Sequence, residues 1–389
     1  MDIYEESEKL HAELGGKLEI HSKVKIQNSH DLSLVYTPGV ARICEVIKSD
    51  PLKAYDLTIK RNTIAIVTDG SAVLGLGNLG PEAALPVMEG KAVLFKEYAG
   101  VNAFPLCLKT QEPSEIISIV KNIAPVFAGI NLEDISSPRC FEIEEALQDI
   151  GIPVFHDDQH GTAIVLLAAL INASKLTGKK LADLKVVISG AGAAGTAIAK
   201  LLTCAGQDQR VCESVKEIIV CDSRGIISQD REDILKNVVK KRLASFTNPN
   251  HLNGKLSGAL QKADVFIGVS VGNVVTEEMI RNMNDKPVVF AMANPVPEID
   301  PELAKKAGAF IVGTGRSDYP NQVNNVLVFP GIFKGAIEIR AKRITDKMKL
   351  AAAYALAESI DDLSVDKILP TPMDKGVAQN VSLAVMKAN

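Results

Sequence analysis

The sequence predicts an α/β protein: a doubly wound parallel-sheet dinucleotide-binding domain over residues 161–389, preceded by an N-terminal α/β domain over residues 1–160. Three observations predict it. Short apolar stretches alternate with longer helical ones through most of the chain. A strand, a glycine turn and a helix follow one another over 185–202. A nearly all-apolar helix at 162–176 marks the junction of the two halves. Strands apolar on both faces belong to parallel sheets covered by helices, and a helix apolar all round is normally buried.

Taken in order, residues 1–30 are polar and helix-prone, with no clear core pattern. A buried strand is expected at 63–68, ending in Asp69-Gly70-Ser71. A glycine-rich segment follows at 74–80, then a helix at 81–98. Strands at 103–108, 126–132 and 153–155 alternate with helices at 113–123 and 138–149. In the second half the expected strands are 185–189, 217–221, 263–268, 287–293, 309–313 and 326–329, with helices between most of them. One more amphipathic helix is expected over 346–360.

Bulk properties narrow the function. The chain has 389 residues, 47% hydrophobic and 23% charged, with a net charge of −4. No basic block favours nucleic acid or a membrane surface. The N-terminus is acidic and polar, unlike a targeting peptide. The apolar run 163–171 is far short of the roughly 20 residues that span a bilayer. A cytoplasmic protein is expected. Cys44, Cys107, Cys140, Cys204, Cys212 and Cys221 form no C-x-x-C pair, so they are expected to be reduced core residues.

The glycine turn is Gly190-Ala-Gly192-Ala193-Ala194-Gly195, between the strand 185–189 and a helix from 196. The first glycine allows the tight turn, the second lets a pyrophosphate reach the backbone, and the third lets helix and strand pack closely. The next strand ends in Asp222, where a ribose hydroxyl partner belongs, although it lies 27 residues past Gly195. Arg224 stands two residues on. Asp favours NAD, whereas a nearby Arg suits the 2′-phosphate of NADP, so both stay open, with NAD preferred. The plainer reading, that small residues merely permit packing, does not explain the whole unit.

Two acidic pairs, Glu133-Asp134 and Asp157-Asp158, each follow a strand. Such pairs can converge on one crevice, and three carboxylates there suit Mg²⁺ or Mn²⁺. The alternative is solvated loop acids or helix N-caps, a plausible role for Asp158. His156 and His160 flank the second pair; hydrogen bonding is their plainer role. Tyr36 sits at a Pro-Gly turn where its hydroxyl can meet a ligand. Lys91 lies on a largely apolar helix face, where burial beside a cation lowers an ammonium pKa and makes a base. A snorkelling Lys and a packed Tyr are the alternative. Asn294 ends the strand 287–293, and Asn325 lies in 324–331; both are candidate substrate contacts, or turn-making residues beside Pro.

Together these segments resemble a known family. YTPGVA (36–41), TDGSAVLGLGNLG (68–80), EGKAVLFK (89–96), NLEDI (131–135), FHDDQHGTA (155–163), GAGAAG (190–195), ANPVPEI (293–299) and NNVLVFPG (324–331) look like those of malic enzymes, short bacterial form, in the same order. The resemblance implies oxidative decarboxylation of (S)-malate to pyruvate and CO₂, with NAD(P)⁺ reduced, a divalent metal and a homodimer. It implies Tyr36 as general acid and Lys91 as general base. It implies Glu133, Asp134 and Asp158 as metal ligands supported by Asp157, and Asn294 and Asn325 as substrate contacts. Longer relatives carry an Arg where this chain has Ala72, so carboxylate recognition must use other groups. The resemblance, with a chain of 389 residues, leads us to expect a member without the extra C-terminal domain that some carry. Two other readings remain: a metal-independent amino-acid dehydrogenase, and a dinucleotide-binding protein without catalysis.

Overall fold

The computed structural model describes residues 2–205, 212–374 and 376–389 and contains two sheets. The first has strands β1 (Thr63–Thr68), β2 (Asn102–Cys107), β3 (Gly129–Leu132) and β4 (Val154–His156), all parallel, in the order β2-β1-β3-β4. The second has β5 (Lys185–Ser189), β6 (Glu217–Asp222), β7 (Gly225–Ile226), β8 (Val265–Gly268), β9 (Val288–Ala291) and β10 (Ile311–Thr314), in the order β10-β9-β8-β5-β6-β7. Only the two-residue β7 runs antiparallel, on β6. In each sheet the chain reverses its direction of travel once, beside β1 and beside β5. Ligands bind outside the carboxyl ends of strands at such switch points.

Alternation along the strands shows why both faces are apolar. Ile64 and Ile66 join one core and Ala65 and Val67 another; Val186 and Ile188 separate from Val187 in the same way. The helices Pro113–Ile123 and Arg139–Leu147 cover one face of the first sheet with Ile116, Val120, Ile143 and Leu147. The core on its other face runs without a break through the helix Asp157–Thr177 into the second sheet. Phe95 of the helix Pro81–Ala99 meets Phe329 and Phe333, with ring centroids 4.7 and 5.4 Å apart. Burying such rings stabilises by about 1.5–3 kcal/mol each, so the C-terminal helices Phe329–Glu338 and Val377–Lys387 are strongly held against the N-terminal half.

The helix Asp157–Thr177 begins five residues earlier than expected, directly after β4, so the second acidic pair is its first turn. It is long and apolar enough to cross a membrane, but 72% of its apolar window is buried inside the protein. Other expectations fail. Residues 326–329 form no strand: a 3-10 turn Asn325–Leu327 leads into the helix Phe329–Glu338, with Pro330 in its first turn. Pro lacks a ladder donor but suits a helix start, and the buried series Phe329, Ile332, Phe333, Ala336 has helical spacing. The start of 126–132 is likewise a 3-10 turn, with β3 confined to Gly129–Leu132. Cys204 and Cys212 are not reduced core thiols; they form a disulfide.

Candidate active site

Two strand ends and one helix build the site. β3 runs straight into Glu133 and Asp134, β4 into Asp157 and Asp158, and Lys91 projects from the middle of the helix Pro81–Ala99. Lys91 Nζ donates to Glu133 Oε1 at 2.6 Å and also to Asp157. Asn325 donates to Asp157 Oδ2 at 2.6 Å, and Asn131 to Glu133 Oε2 at 2.8 Å. Asp158 accepts the Asp134 backbone N–H at 2.9 Å. Lys91 Nζ also stands 4.3 Å from the centre of the Phe329 ring. Asp134 has φ 53°, in the left-handed region that few non-glycine residues adopt.

Glu133, Asp134 and Asp158 each offer an oxygen within 4.8 Å of the others. At an effective dielectric of about 20, two charges that close repel by roughly 3–4 kcal/mol. Four carboxylates share one ammonium, so the cluster is short of positive charge. Burial, with Asp158 and Glu133 adding repulsion, pushes Asp134 up to about 9. Burial likewise pushes Asp157 up to about 8 against the pull of Lys91, and raises Glu133 and Asp158. Lys91 departs from expectation. Burial alone would lower its pKa, but Asp157, Glu133 and Asp158 outweigh burial and hold it above the usual ammonium range. Asp134 Oδ2, Asp157 Oδ1 and Asn131 Oδ1 are buried without a hydrogen-bond partner among the described residues. Buried polar atoms seldom lack partners. Unpartnered oxygens in an over-anionic pocket fit a divalent cation held by carboxylates.

The glycine turn lies at the end of β5. Gly190 has φ 122°, and a Cβ there would lie 2.4 Å from Val269 O. A Cβ on Gly195 would lie 1.9 Å from Gly190 O, so strand and helix meet too closely for any side chain. A Cβ on Gly192 would meet nothing within 4 Å. That open side, with the uncapped first turn of the helix Ala193–Leu202 including Ala194, leaves free N–H groups for a pyrophosphate. Asp222 differs from expectation. Its carboxylate takes two bonds from Arg231 (2.9 and 3.0 Å), one from Lys240 (2.7 Å) and one from the Arg224 backbone N–H (2.9 Å).

Asn294 is exposed, with its carbonyl against Gly75 and its amide nitrogen beside Gly315. Its loop is held by Glu298, fully buried, which accepts the backbone N–H groups of Ser270 (2.8 Å) and Ala293 (3.0 Å). Glu298, Asn131 and Phe329 carried no sequence signal of their own. The same is true of Glu144, which accepts from His156 N, Gln159 and His160 at 3.2, 3.1 and 3.0 Å and so anchors the helix start that carries Asp157 and Asp158. A cavity of 1190 Å³ lies beside that network, lined by Glu144, His160, Thr196 and Lys200 and by none of the four carboxylates.

The family model described as "Malic enzyme, NAD binding domain" matches residues 159–389, and "Malic enzyme, N-terminal domain" matches 15–114. The chain belongs to the malic enzyme family. It is 55% identical to a bifunctional malic/malolactic enzyme of Bacillus subtilis, over 100% of this chain and 93% of that protein. It is 56% identical to the NAD-dependent malic enzyme of Geobacillus stearothermophilus, over 96% and 77%. It is 46% identical to the NADP-dependent malic enzyme of Halomonas elongata, over 96% and 90%. The crystal structure of the NAD-dependent malic enzyme of Thermotoga maritima superposes with a TM-score of 0.93 at 50% identity, covering 99% of both chains. In this malic enzyme chain, the Ala72 N–H donates to Asp134 O at the edge of the cluster. One candidate stands apart from the cluster. Tyr36 is 66% exposed on the N-terminal segment, and its hydroxyl bonds to no described residue.

Proposed function

We propose that this malic enzyme oxidatively decarboxylates (S)-malate to pyruvate and CO₂, with reduction of NAD(P)⁺, at the Lys91 cluster. The observation that carries the reading is the set of three carboxylates within 4.8 Å, short of positive charge, one of which, Glu133, binds the buried Lys91 ammonium together with Asp157. Residues 1–160 supply the catalytic side chains, and 161–389 hold the cofactor on Gly190, Gly192, Ala193, Ala194 and Gly195. Glu133, Asp134 and Asp158 would hold Mg²⁺ or Mn²⁺. Such a cation would supply Lewis acidity at the substrate oxygens and positive charge beside Lys91.

Lys91 Nζ then takes the C2 hydroxyl proton as hydride passes from C2 to the nicotinamide. Asp157 keeps Lys91 in place and ties it to Asn325. Asn325 and Asn294 orient the substrate from the cofactor side. The distal carboxylate leaves as CO₂, and Tyr36 protonates C3. A metal-independent amino-acid dehydrogenase would leave the unpartnered carboxylate oxygens without a purpose. Malate-dependent NAD(P)H formation with Mn²⁺ tests the reading; no turnover with either cofactor would refute it.

The working form in this proposal is a cytoplasmic homodimer. The helices Ile3–Leu14, Ser29–Val35 and Gly39–Ser49 bury no residue, while Ile3, Tyr4, Ile20, Leu34 and Tyr36 are each more than 60% exposed. Apolar surface on that scale marks an interface. A second copy covering it gives Tyr36 a site to act on. Mixing Lys91→Ala with Tyr36→Phe chains then restores activity, to about a quarter of wild type if subunits exchange at random and Tyr36 serves the partner. No recovery would place Tyr36 in its own chain's site.

A further inference from the structure

We infer that Arg316 receives a carboxylate of the substrate: its free guanidinium fork takes the C1 carboxylate, the one that malate keeps when it becomes pyruvate. This rests on the function proposed above, and adds to it a cation that neither the acid pairs nor the two asparagines supply.

The first observation is where Arg316 stands. β9 and β10 pair in parallel and end together at Ala291 and Thr314. The loop after β9 carries Asn294, and the loop after β10 carries Gly315 and Arg316. The segment 72–75 joins these loops to the acids. It starts at the cluster, where the Ala72 N–H donates to Asp134 O at 2.9 Å. It ends against Asn294, since a Cβ on Gly75 would lie 2.4 Å from Asn294 O. A Cβ on Gly315 would in turn lie 3.0 Å from Asn294 Nδ2. Contacts therefore run without a gap from the carboxylates that would hold the metal to the residue before Arg316. Ligands of parallel sheets bind in such a crevice, outside the carboxyl ends of the strands.

The second observation is which N–H donors are spare. A guanidinium has five, in a planar fork. Arg316 spends three on described residues. Nε and Nη2 bind the two oxygens of Asp318 at 2.8 and 2.6 Å, and Nη1 binds Pro295 O at 3.0 Å. One N–H on each terminal nitrogen is left, side by side, the spacing that a carboxylate accepts with both oxygens. The fork is held in place. The Arg316 backbone N–H donates to Thr314 Oγ1 at 3.2 Å, and the guanidinium lies 5.6 Å from the centre of the Tyr319 ring. The side chain is still 39% exposed, so a ligand can reach it. Two other cations have no such fork to offer. Lys91 is held by Glu133 and Asp157, and both terminal nitrogens of Arg139 are taken by Asp69, Ser136 and Gln111.

The chemistry decides which carboxylate Arg316 takes. C4 leaves as neutral CO₂, and a cation fixed on it would oppose that loss of charge. C1 stays anionic from malate to pyruvate, so an ion pair there binds the substrate without raising the barrier. The neutral amides of Asn294 and Asn325 suit the departing group.

Calorimetry on the full chain loaded with Mn²⁺ and NADH reads the contact without turnover. The probe is tartronate, a 2-hydroxy diacid that mimics the C1–C2 end of malate. Arg316→Ala should bind it at least about tenfold more weakly than wild type, the worth of two charge-assisted hydrogen bonds. The malate KM should rise by a similar factor while kcat changes less than about threefold, because malate and the transition state are held alike. Arg316→Lys keeps the charge and should fall between wild type and Ala. Arg316→Gln can still donate to Pro295 O without the charge, and should match Ala. No tartronate binding to wild type, or an unchanged affinity in Arg316→Ala, would overturn the assignment. So would Lys and Gln variants that behave alike, or a fall in kcat as large as the rise in KM; either would mean that Arg316 only pins the Pro295 loop. Wild type without malate turnover refutes the proposed function, and the tartronate comparison still decides Arg316. Turnover with an unchanged malate KM in Arg316→Ala refutes Arg316 alone.

Discussion

Two acidic sites at strand ends behave in opposite ways. At β3 and β4, Glu133, Asp134, Asp157 and Asp158 surround one ammonium, keep buried oxygens without partners, and are pushed up by burial and mutual repulsion. At β6, Asp222 meets two cations and a backbone donor with every oxygen occupied, and these partners hold its carboxyl well below the usual range despite burial. In a sequence both read as "acid after a strand". The difference lies in their coordination. An acid with spare lone pairs and excess negative charge awaits a ligand, whereas a saturated acid holds protein together.

The largest effect is expected where the unsaturated site does chemistry. Lys91→Ala should lower kcat for malate oxidation by on the order of 10³, the scale of a general base. A loss smaller than tenfold would remove Lys91 from proton transfer. Next comes the ligand demand itself. Asp134→Asn should weaken Mn²⁺ binding by at least about 10–100-fold, followed by electron paramagnetic resonance of free Mn²⁺. The control is Asp230→Asn, a carboxylate outside the cluster, which should leave Mn²⁺ affinity as it was. Equal effects at both positions would erase the contrast.

The glycine turn sharpens the same distinction between a space kept for a ligand and a space filled by protein. Gly195→Ala forces a Cβ onto Gly190 O and should cost several kcal/mol, in the range of overpacked or strained cores. Gly192→Ala has room and should stay within about 0.5 kcal/mol of wild type in urea unfolding, yet weaken NAD(P)H binding measured by fluorescence. If both substitutions destabilise alike, the opening at Gly192 is not reserved for the cofactor.

The smallest effect concerns Glu144, a third acid, saturated like Asp222. Burial alone would raise its pKa, but His160 outweighs burial and the carboxyl is held at about 2, below its ordinary 4.5. A depressed carboxyl stabilises the fold above the ordinary value and loses that contribution as pH falls from about 4.5 to about 2. The wild-type urea midpoint should therefore drop across that window. Glu144→Gln should be less stable at neutral pH and show a flatter profile there. Parallel profiles would mean that the Glu144 charge contributes nothing.

What the sequence made legible was local. The unit 185–202 carries its strand, turn and helix within one window, and each glycine sits in the surroundings its role requires. The acid pairs were legible because β3 and β4 deliver them at strand ends. What stayed hidden depends on distant partners. Arg231 and Lys240 reach Asp222 from 9 and 18 residues on. The raised Lys91 pKa requires two strands to converge on one helix. The misread strand at 326–329 is a buried helix start, apolar because Phe95 packs on Phe329. The Cys204–Cys212 pair spans eight residues and matches no spacing motif. Nothing near Tyr36 signalled that its segment would bury none of its own residues.

In the proposed reaction the unsaturated carboxylates hold a metal that the enzyme needs for turnover. The direct measurement is NAD(P)H formation from malate by protein stripped with EDTA, before and after adding Mn²⁺. The stripped protein should show no turnover, and Mn²⁺ should restore it fully. Turnover that survives complete chelation would contradict it.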